Sequence, residues 1–261
     1  MEKVAKRFGQ ENCKEVSIPL STGYSLRPNE GNTNPTLRSH YQLVIGLLLY
    51  IMLGTRPDIT YSVIKMSQFS ANPSEEHLQK ALYIVCYLSS TMDLCIWYSA
   101  SGNQNGLNVY SNTDWAGDHE TSRSITGYAI FLANSIVSWL SMQQKRVRLS
   151  STEVECCGMT ETAKQLQWIH NVYKELGFKL GPLPLCINNQ GAIFLASNPA
   201  QKGHIKYTHI PNHYICEAVE FGEVKLYYVP TDQQYADIFT KNLAKLKFKI
   251  EKKALHLIKH S

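Results

Sequence analysis

Apolar residues recur at helical spacing in the first third of the chain and at strand spacing in its middle, and the change falls near Leu94. His40 to Leu53 is apolar on nearly every side, which suits a buried helix. Ile59, Val63, Met66 and Phe69 follow at intervals of three or four, with Asp58 placed as an N-cap. Leu78, Ala81, Leu82, Val85 and Leu88 then form a third stripe. That stripe opens on Asn72-Pro73-Ser74-Glu75, which reads as an N-cap, a first-turn proline and a capping-box glutamate. Ahead of all three, Pro19 to Pro35 is rich in Gly, Ser, Asn and Pro and predicts a loop or linker.

Short β-branched and aromatic runs then take over: Leu94 to Tyr98, Leu107 to Ser111, Ile125 to Leu132, Ile136 to Leu140 and Arg146 to Leu149. A long helix is expected from about Thr152 to Leu176, with Met159, Leu166, Ile169 and Tyr173 on one stripe. After it the pattern predicts a buried strand at Leu183 to Ile187, helices at Gln190 to Ala196 and His209 to Phe221, and a strand at Val224 to Val229. Helices at Asp232 to Lys241 and Lys247 to Ile258 close the chain. Strands first, then helix alternating with strand, give an α/β sandwich around one mixed sheet.

Composition narrows the picture. With 261 residues, 44% of them hydrophobic and 18% charged, the chain is long enough to bury one large or two modest cores. The net charge of +5 and a pI of about 8.7 suit a nucleic-acid partner, and an ordinary basic soluble protein equally. The seven cysteines are odd in number, scattered and without a Cys-x-x-Cys pair, so reduced thiols in an intracellular setting, cytoplasmic or nuclear, are expected. The N-terminus has no apolar signal region. The apolar run from Leu43 to Leu53 contains Gly46 and falls short of the ~20 residues that span a bilayer, so no membrane partner is expected.

The stretch Val109-Tyr110-Ser111-Asn112-Thr113-Asp114-Trp115-Ala116-Gly117-Asp118, followed by Ser124-Ile125-Thr126-Gly127-Tyr128, reads as two antiparallel strands with polar groups at their junction. It resembles the first hairpin of the ribonuclease H domain of copia-type long-terminal-repeat retrotransposons, whose pattern is Tyr-Ser-Asp-x-Asp-Trp-Ala-Gly-Asp. Tyr41 to Tyr50 and Thr55 to Ile59 resemble the connector that follows the polymerase palm in the same polyproteins, so the resemblance covers essentially the whole chain. It implies a ribonuclease H-like fold, a five-stranded mixed sheet flanked by helices, in which the strands at Val109 and Leu185 are adjacent and parallel, preceded by a small helical segment. The implied division is 1–35 as linker and remnant of the polymerase end, 36–93 as helical connector, 94–245 as ribonuclease H-like domain and 246–261 as a basic amphipathic helix. The polymerase itself is missing, since no two aspartates are adjacent in this chain and reverse transcriptases hold metal on such a doublet.

The resemblance also implies chemistry: hydrolysis of RNA in an RNA–DNA hybrid by two magnesium ions held on four carboxylates. By motif these metal-binding, catalytic positions fall at Asn112, at Glu155 in Ser150-Ser151-Thr152-Glu153-Val154-Glu155, at Asn188 in Cys186-Ile187-Asn188-Asn189-Gln190, and at Asp237 in Tyr235-Ala236-Asp237-Ile238. Two of the four family aspartates are therefore asparagines, and an amide lacks the charge that offsets a dication. Asp114, Gln190 and Lys241 are the implied substrate contacts; Asp114 reads equally as a turn-stabilising carboxylate, and Glu153 as a helix-start carboxylate. Trp115, Trp139 and Trp168 are expected mostly in the core. The seven lysines from Lys241 to Lys259 read as a solvated face or, less simply, as phosphate contacts. The expectation is a retrotransposon Pol fragment with weakened magnesium binding and impaired cleavage. A non-catalytic module for RNA–DNA hybrid or other nucleic acid, and a weak residual nuclease, are the alternatives.

Overall fold

Asn34, whose side chain accepts a hydrogen bond from the Thr36 amide, and Pro35 at the first helical position start a 20-residue helix, α2 (Pro35–Gly54). A computed structural model gives the fold and describes residues 2–21, 26–98, 106–118, 121–147, 150–178, 181–198 and 210–259. The chain divides into two compact units, Met1–Tyr98 with Lys241–Ser261, and Ser99–Thr240.

In the first unit, α2 buries Tyr41, Val44, Ile45, Leu48 and Met52 against α3 (Thr60–Ser67) and α4 (Glu75–Ser89), and α1 (Glu2–Arg7) packs on α4. The Tyr41 hydroxyl donates to the Met66 carbonyl at 2.6 Å. By length and composition α2 is apolar enough to cross a membrane, longer than the run from Leu43 that the sequence suggested; in this fold its buried face is a core face. The cap of α4 is also displaced from expectation. Ser74 accepts from the His77 amide, and the His77 ring, rather than a glutamate, closes the box. Asn72 instead accepts from the Thr33 amide and hydroxyl and donates to the carbonyls of Asn29 and Gly31, which pins the linker.

The end of the chain returns to this unit. The final helix α8 (Lys245–Ala254) stops earlier than the expected Ile258, because His256 takes a left-handed φ of 56° and turns the chain into a short strand, β7 (Leu257–Lys259). That strand pairs antiparallel with β1 (Leu94–Ile96), so β1 lies in a two-stranded sheet of its own and not in the main sheet. The α/β unit accordingly begins at Ser99 instead of 94, and the basic C-terminal helix belongs with the N-terminal helices.

The second unit is one five-stranded sheet in the order β4-β3-β2-β5-β6, formed by β2 (Leu107–Asp118), β3 (Arg123–Leu132), β4 (Ser135–Gln143), β5 (Leu183–Ile187) and β6 (Val224–Tyr228). The first three are an antiparallel meander; β5 and β6 are parallel to β2, and Tyr110 of β2 lies opposite Cys186 of β5. This is the mixed sheet, with adjacent parallel strands at Val109 and Leu185, that the resemblance implied. The expected strand at Arg146 does not form among the described residues, and Asp232 to Lys241 holds two short 3-10 turns, Thr231–Gln233 and Asp237–Phe239, in place of a helix. One face of the sheet carries α5 (Ser151–Glu175), α6 (Gln190–Ser197) and α7 (Ile210–Glu220). Leu107, Val109, Tyr128, Ile130, Leu185 and Ile187 meet Met159, Leu166 and Ile169 there. Because side chains alternate along a strand, Tyr110 and Asn112 point to the other face, where Tyr110, Phe131 and Tyr235 cluster.

Candidate functional site

Asn112 of β2 lies opposite Gly127 of β3. The missing side chain at Gly127 matters, since a Cβ there would stand 2.6 Å from Phe239 Cβ and 2.9 Å from Thr240 Cγ2. The turn Asp237–Phe239 therefore settles directly on the strand and carries Asp237 over Asn112. Asn112 Nδ2 donates to Asp237 Oδ1 at 2.6 Å and to Thr240 Oγ1 at 3.0 Å, and Thr240 Oγ1 donates on to the Asp237 carbonyl at 3.1 Å. Gln234 fixes the approach: its Nε2 donates to the Ser111 carbonyl at 3.0 Å, and its Oε1 accepts from the Ala236 amide. Asn112 is 3% exposed and Asp237 0%, so this is an enclosed amide–carboxylate pair. Gly127→Ala should push the turn off the strand and cost about 1–3 kcal/mol, as overpacking does. Urea unfolding reads this directly, and an unchanged midpoint would show that the turn has room to move.

Asn188 follows β5. With Tyr110 opposite Cys186, Asn188, the first residue past β5, lies near the level of Asn112 on the adjacent parallel strand. The next residue, Asn189, caps α6 by accepting from the Ala192 amide at 3.0 Å, and Gln190 is exposed at the first helical position. Glu155 comes from the opposite face of the sheet. Ser150 caps α5, and Gln144 Nε2 bridges Thr126 Oγ1 and the Val154 carbonyl, which sets the start of α5 level with the Thr113–Thr126 pair. Further along, Thr162 donates to Ser111 Oγ at 3.0 Å. Glu155, 6% exposed, is thus buried at the same end of the sheet, on the α5 side. The structure joins Asn112 to Asp237 by a hydrogen bond and sets Asn188 near their level, while Glu155 approaches from behind.

The other expected contacts are dispersed. The Asp114 carboxylate folds against Gly117 within the irregular end of β2, where Ala116 has a φ of 51° and its amide donates to Ser124 Oγ. Lys241 is half-buried at the start of the C-terminal segment of the first unit. Two of the tryptophans expected in the core are on the surface: Trp115 is 53% exposed and Trp168 61%. Trp115 lies in the part of β2 between Asp114 and Asp118 where the register with β3 shifts. Gly127, Gln234 and Thr240, which position the pair, went unrecognised in the sequence, where Gln234 and Thr240 stand among other polar residues from Thr231 to Asn242 with nothing to mark them.

No family model matches the chain. It is 37% identical over 245 residues to the retrovirus-related Pol polyprotein from transposon RE1 of Arabidopsis thaliana, which covers 93% of this chain and 16% of the polyprotein. The corresponding polyprotein from transposon RE2 of the same plant is 34% identical over 97% of this chain and 17% of its own length. The chain belongs to the copia-type retrotransposon Pol family. It spans about a sixth of the length of these Pol relatives. A solved N-terminal RNase H domain from Mycobacterium tuberculosis, fused to maltose-binding protein, overlaps 57% of this chain and 97% of its own at 11% identity and a TM-score of 0.33. The assignment to copia-type Pol rests on the polyprotein relatives.

Magnesium requires anionic oxygens converging on one point. The donor set of this Pol domain does not fit that need: Asn112 turns an N–H, the wrong end of a dipole for a cation, toward the one carboxylate beside it. Among the described residues, no three of His, Cys, Asp or Glu are grouped to hold a metal.

Proposed function

We propose that this ribonuclease H-like domain of a copia-type Pol engages nucleic acid without hydrolysing RNA. The observation that carries the proposal is the 2.6 Å hydrogen bond from the Asn112 amide to the buried Asp237 carboxylate. A carboxylate enclosed with a neutral donor has its charge satisfied by the protein, and the cation that would polarise a phosphodiester and activate water has lost its ligand cage. The parent reaction therefore fails at metal binding, whereas the surface that meets a duplex need not fail with it. The net charge of +5 and the exposed Trp115 indole, three residues beyond Asn112 on β2, support retained binding.

The test is fluorescence anisotropy with a labelled RNA–DNA hybrid in magnesium, with the strand lengths checked afterwards. Saturable binding whose affinity falls linearly on a log–log plot against salt, with intact RNA, is the expected result. Trp115→Ala should weaken it by about 1–3 kcal/mol if the indole stacks on a base. Absence of binding at low salt would reduce the domain to an inert relic, and shortened RNA would overturn the proposal.

A further inference from the structure

The formal charge of +5 is not shared between the two units. The first, residues 1–98 with 241–261, holds sixteen Lys and Arg against nine Asp and Glu, a net of +7, whereas the second, residues 99–240, holds ten against twelve, a net of −2. Within the first unit, the stretch from Lys241 to Ser261 has seven lysines and one acid, Glu251, and so supplies +6 of that charge. α8 sorts these lysines by face. Phe248 and Glu251 are buried, the Phe248 ring meets Tyr87 of α4 edge-on with centroids 5.9 Å apart, and Leu255 and Leu257 are buried just past the helix. Three lysines are engaged by the fold: Lys247 lies 3.5 Å from Glu251, Lys252 reaches the Tyr87 hydroxyl at 3.5 Å, and Lys259 of β7 pairs with Asp93 at 2.6 Å. Lys245, Lys249 and Lys253 are placed differently. They are exposed, they recur at every fourth position, and among the described residues none of them forms an ion pair. Four residues advance a helix by about 6 Å and little more than one turn, so the three ammonium groups rise from one row about 12 Å long. A duplex carries one phosphate per about 1.7 Å of its axis, so a length equal to that row holds about seven.

We infer that Lys245, Lys249 and Lys253 form a sequence-independent site for the phosphate backbone of nucleic acid, and that the first unit, not the ribonuclease H-like unit, supplies the electrostatic part of binding. This rests on the reading that the chain engages nucleic acid, and it locates the charge that does so. An ammonium group that neutralises a phosphate releases a condensed counterion, and only a cation without a protein partner brings its full charge to that exchange. Lys245, Lys249 and Lys253 meet the condition; Lys247 and Lys259 do not. An anionic membrane is the other polyanionic surface that a lysine-rich helix can meet, but insertion there needs an apolar face turned outward. The apolar face of α8 is turned into the protein, and only Leu246 and Ile250 remain exposed beside the lysine row. The observations therefore favour a phosphate backbone over a lipid surface.

The test is anisotropy of a labelled RNA–DNA hybrid with the full chain across a salt series. Lys245→Gln, Lys249→Gln and Lys253→Gln made together should lower the slope of log affinity against log salt by about two to three and weaken binding roughly tenfold or more at low salt. Arginine at the same three positions should keep both the slope and the affinity. Removing the same charge from the second unit at three exposed lysines, as Lys145→Gln, Lys174→Gln and Lys225→Gln, should leave the slope where it was. All these side chains are on the surface, so an unchanged urea midpoint verifies that each variant is folded. An unaltered slope in the α8 variant, or an equal fall in both triple variants, would overturn the inference while nucleic-acid binding itself stands. Failure of the unaltered protein to bind the hybrid at low salt would remove that reading and the inference with it. Sedimentation with vesicles of equal parts phosphatidylcholine and phosphatidylserine, lost in the α8 variant while its hybrid binding stays intact, would reassign the row to a membrane and so refute the inference.

Discussion

Carrying aspartate at both altered positions, the Asn112→Asp, Asn188→Asp variant is expected to bind magnesium and to cut the RNA strand of a hybrid, while the unaltered protein leaves that strand whole. The two ions of such a site supply several kcal/mol of transition-state stabilisation, and at ~1.4 kcal/mol per factor of ten their loss removes orders of magnitude in rate. Glu155 and Asp237 are already present, so the double change returns the donor set to four carboxylates. Either single change should recover much less, because the ligands act as a unit. Stability gives an independent readout. Asn112→Asp sets a second carboxylate at 2.6 Å from Asp237 inside an enclosed site, so without metal one of the pair must take a proton or the fold must loosen. That variant should unfold at lower urea in a chelator and recover in magnesium, by about 2.7 kcal/mol at a hundredfold excess over Kd. The unaltered protein should show no such response, because its Asn112 amide already answers the Asp237 charge. Robust hybrid cleavage by the unaltered protein, abolished by Glu155→Ala, would overturn the reading of a silent site. A folded double variant that stays inert would locate the loss beyond the metal ligands.

What the sequence disclosed and what it hid divide along physical lines. The stripes of α4 and α5 were readable because burial of one face writes a period into the chain, while α2 showed as a run apolar on nearly every side and β5 as a short buried run. The adjacency of β2 and β5 came from the resemblance, not from periodicity. Asn112 and Asp237 could be paired in sequence only by motif, and nothing local announced that the amide would bond the carboxylate. That contact depends on Gly127, on a third element, which leaves the space the turn occupies. Strand pairs of three residues, such as β1 with β7, carry too few letters for a pattern, so the return of the C-terminus to the first unit was hidden. Caps misled for a different reason. Asp58 has the residue type and place of an N-cap, yet its carboxylate is taken by the Arg56 guanidinium two residues before it and by the Tyr87 hydroxyl of α4.

Asp58→Ala should be among the most damaging single changes in the first unit, at about 3–5 kcal/mol, the cost of leaving a buried charge without its partner. Arg56 Nε and Nη2 donate to the two oxygens of Asp58 at 2.9 and 2.8 Å, the Tyr87 hydroxyl donates to Oδ2 at 2.5 Å, and the Arg56 and Asp58 side chains are only 4% and 0% exposed. Arg56 also donates to the Thr91 carbonyl and hydroxyl, and Lys252 of α8 reaches the Tyr87 hydroxyl at 3.5 Å, so the cluster links the end of α2, α4 and the returning C-terminal helix. Replacing both charges with apolar residues of similar size should cost far less than removing one, since desolvation offsets much of the attraction in such a pair. The pH dependence follows from the same contacts. Burial opposes ionisation of Asp58, but the Arg56 guanidinium, the Tyr87 hydroxyl and Lys252 outweigh it and hold the carboxyl below its ordinary value of 3.8. The unfolded chain then binds the proton more readily than the folded one, so this contribution is fully present above about pH 4 and is lost as pH falls through the folded value. Urea titrations of the unaltered protein and Asp58→Ala should show their widest gap at neutral pH and a narrowing gap below pH 4. A gap that stays constant into acid would mean that the lost packing, and not the ionised carboxylate, carries the energy.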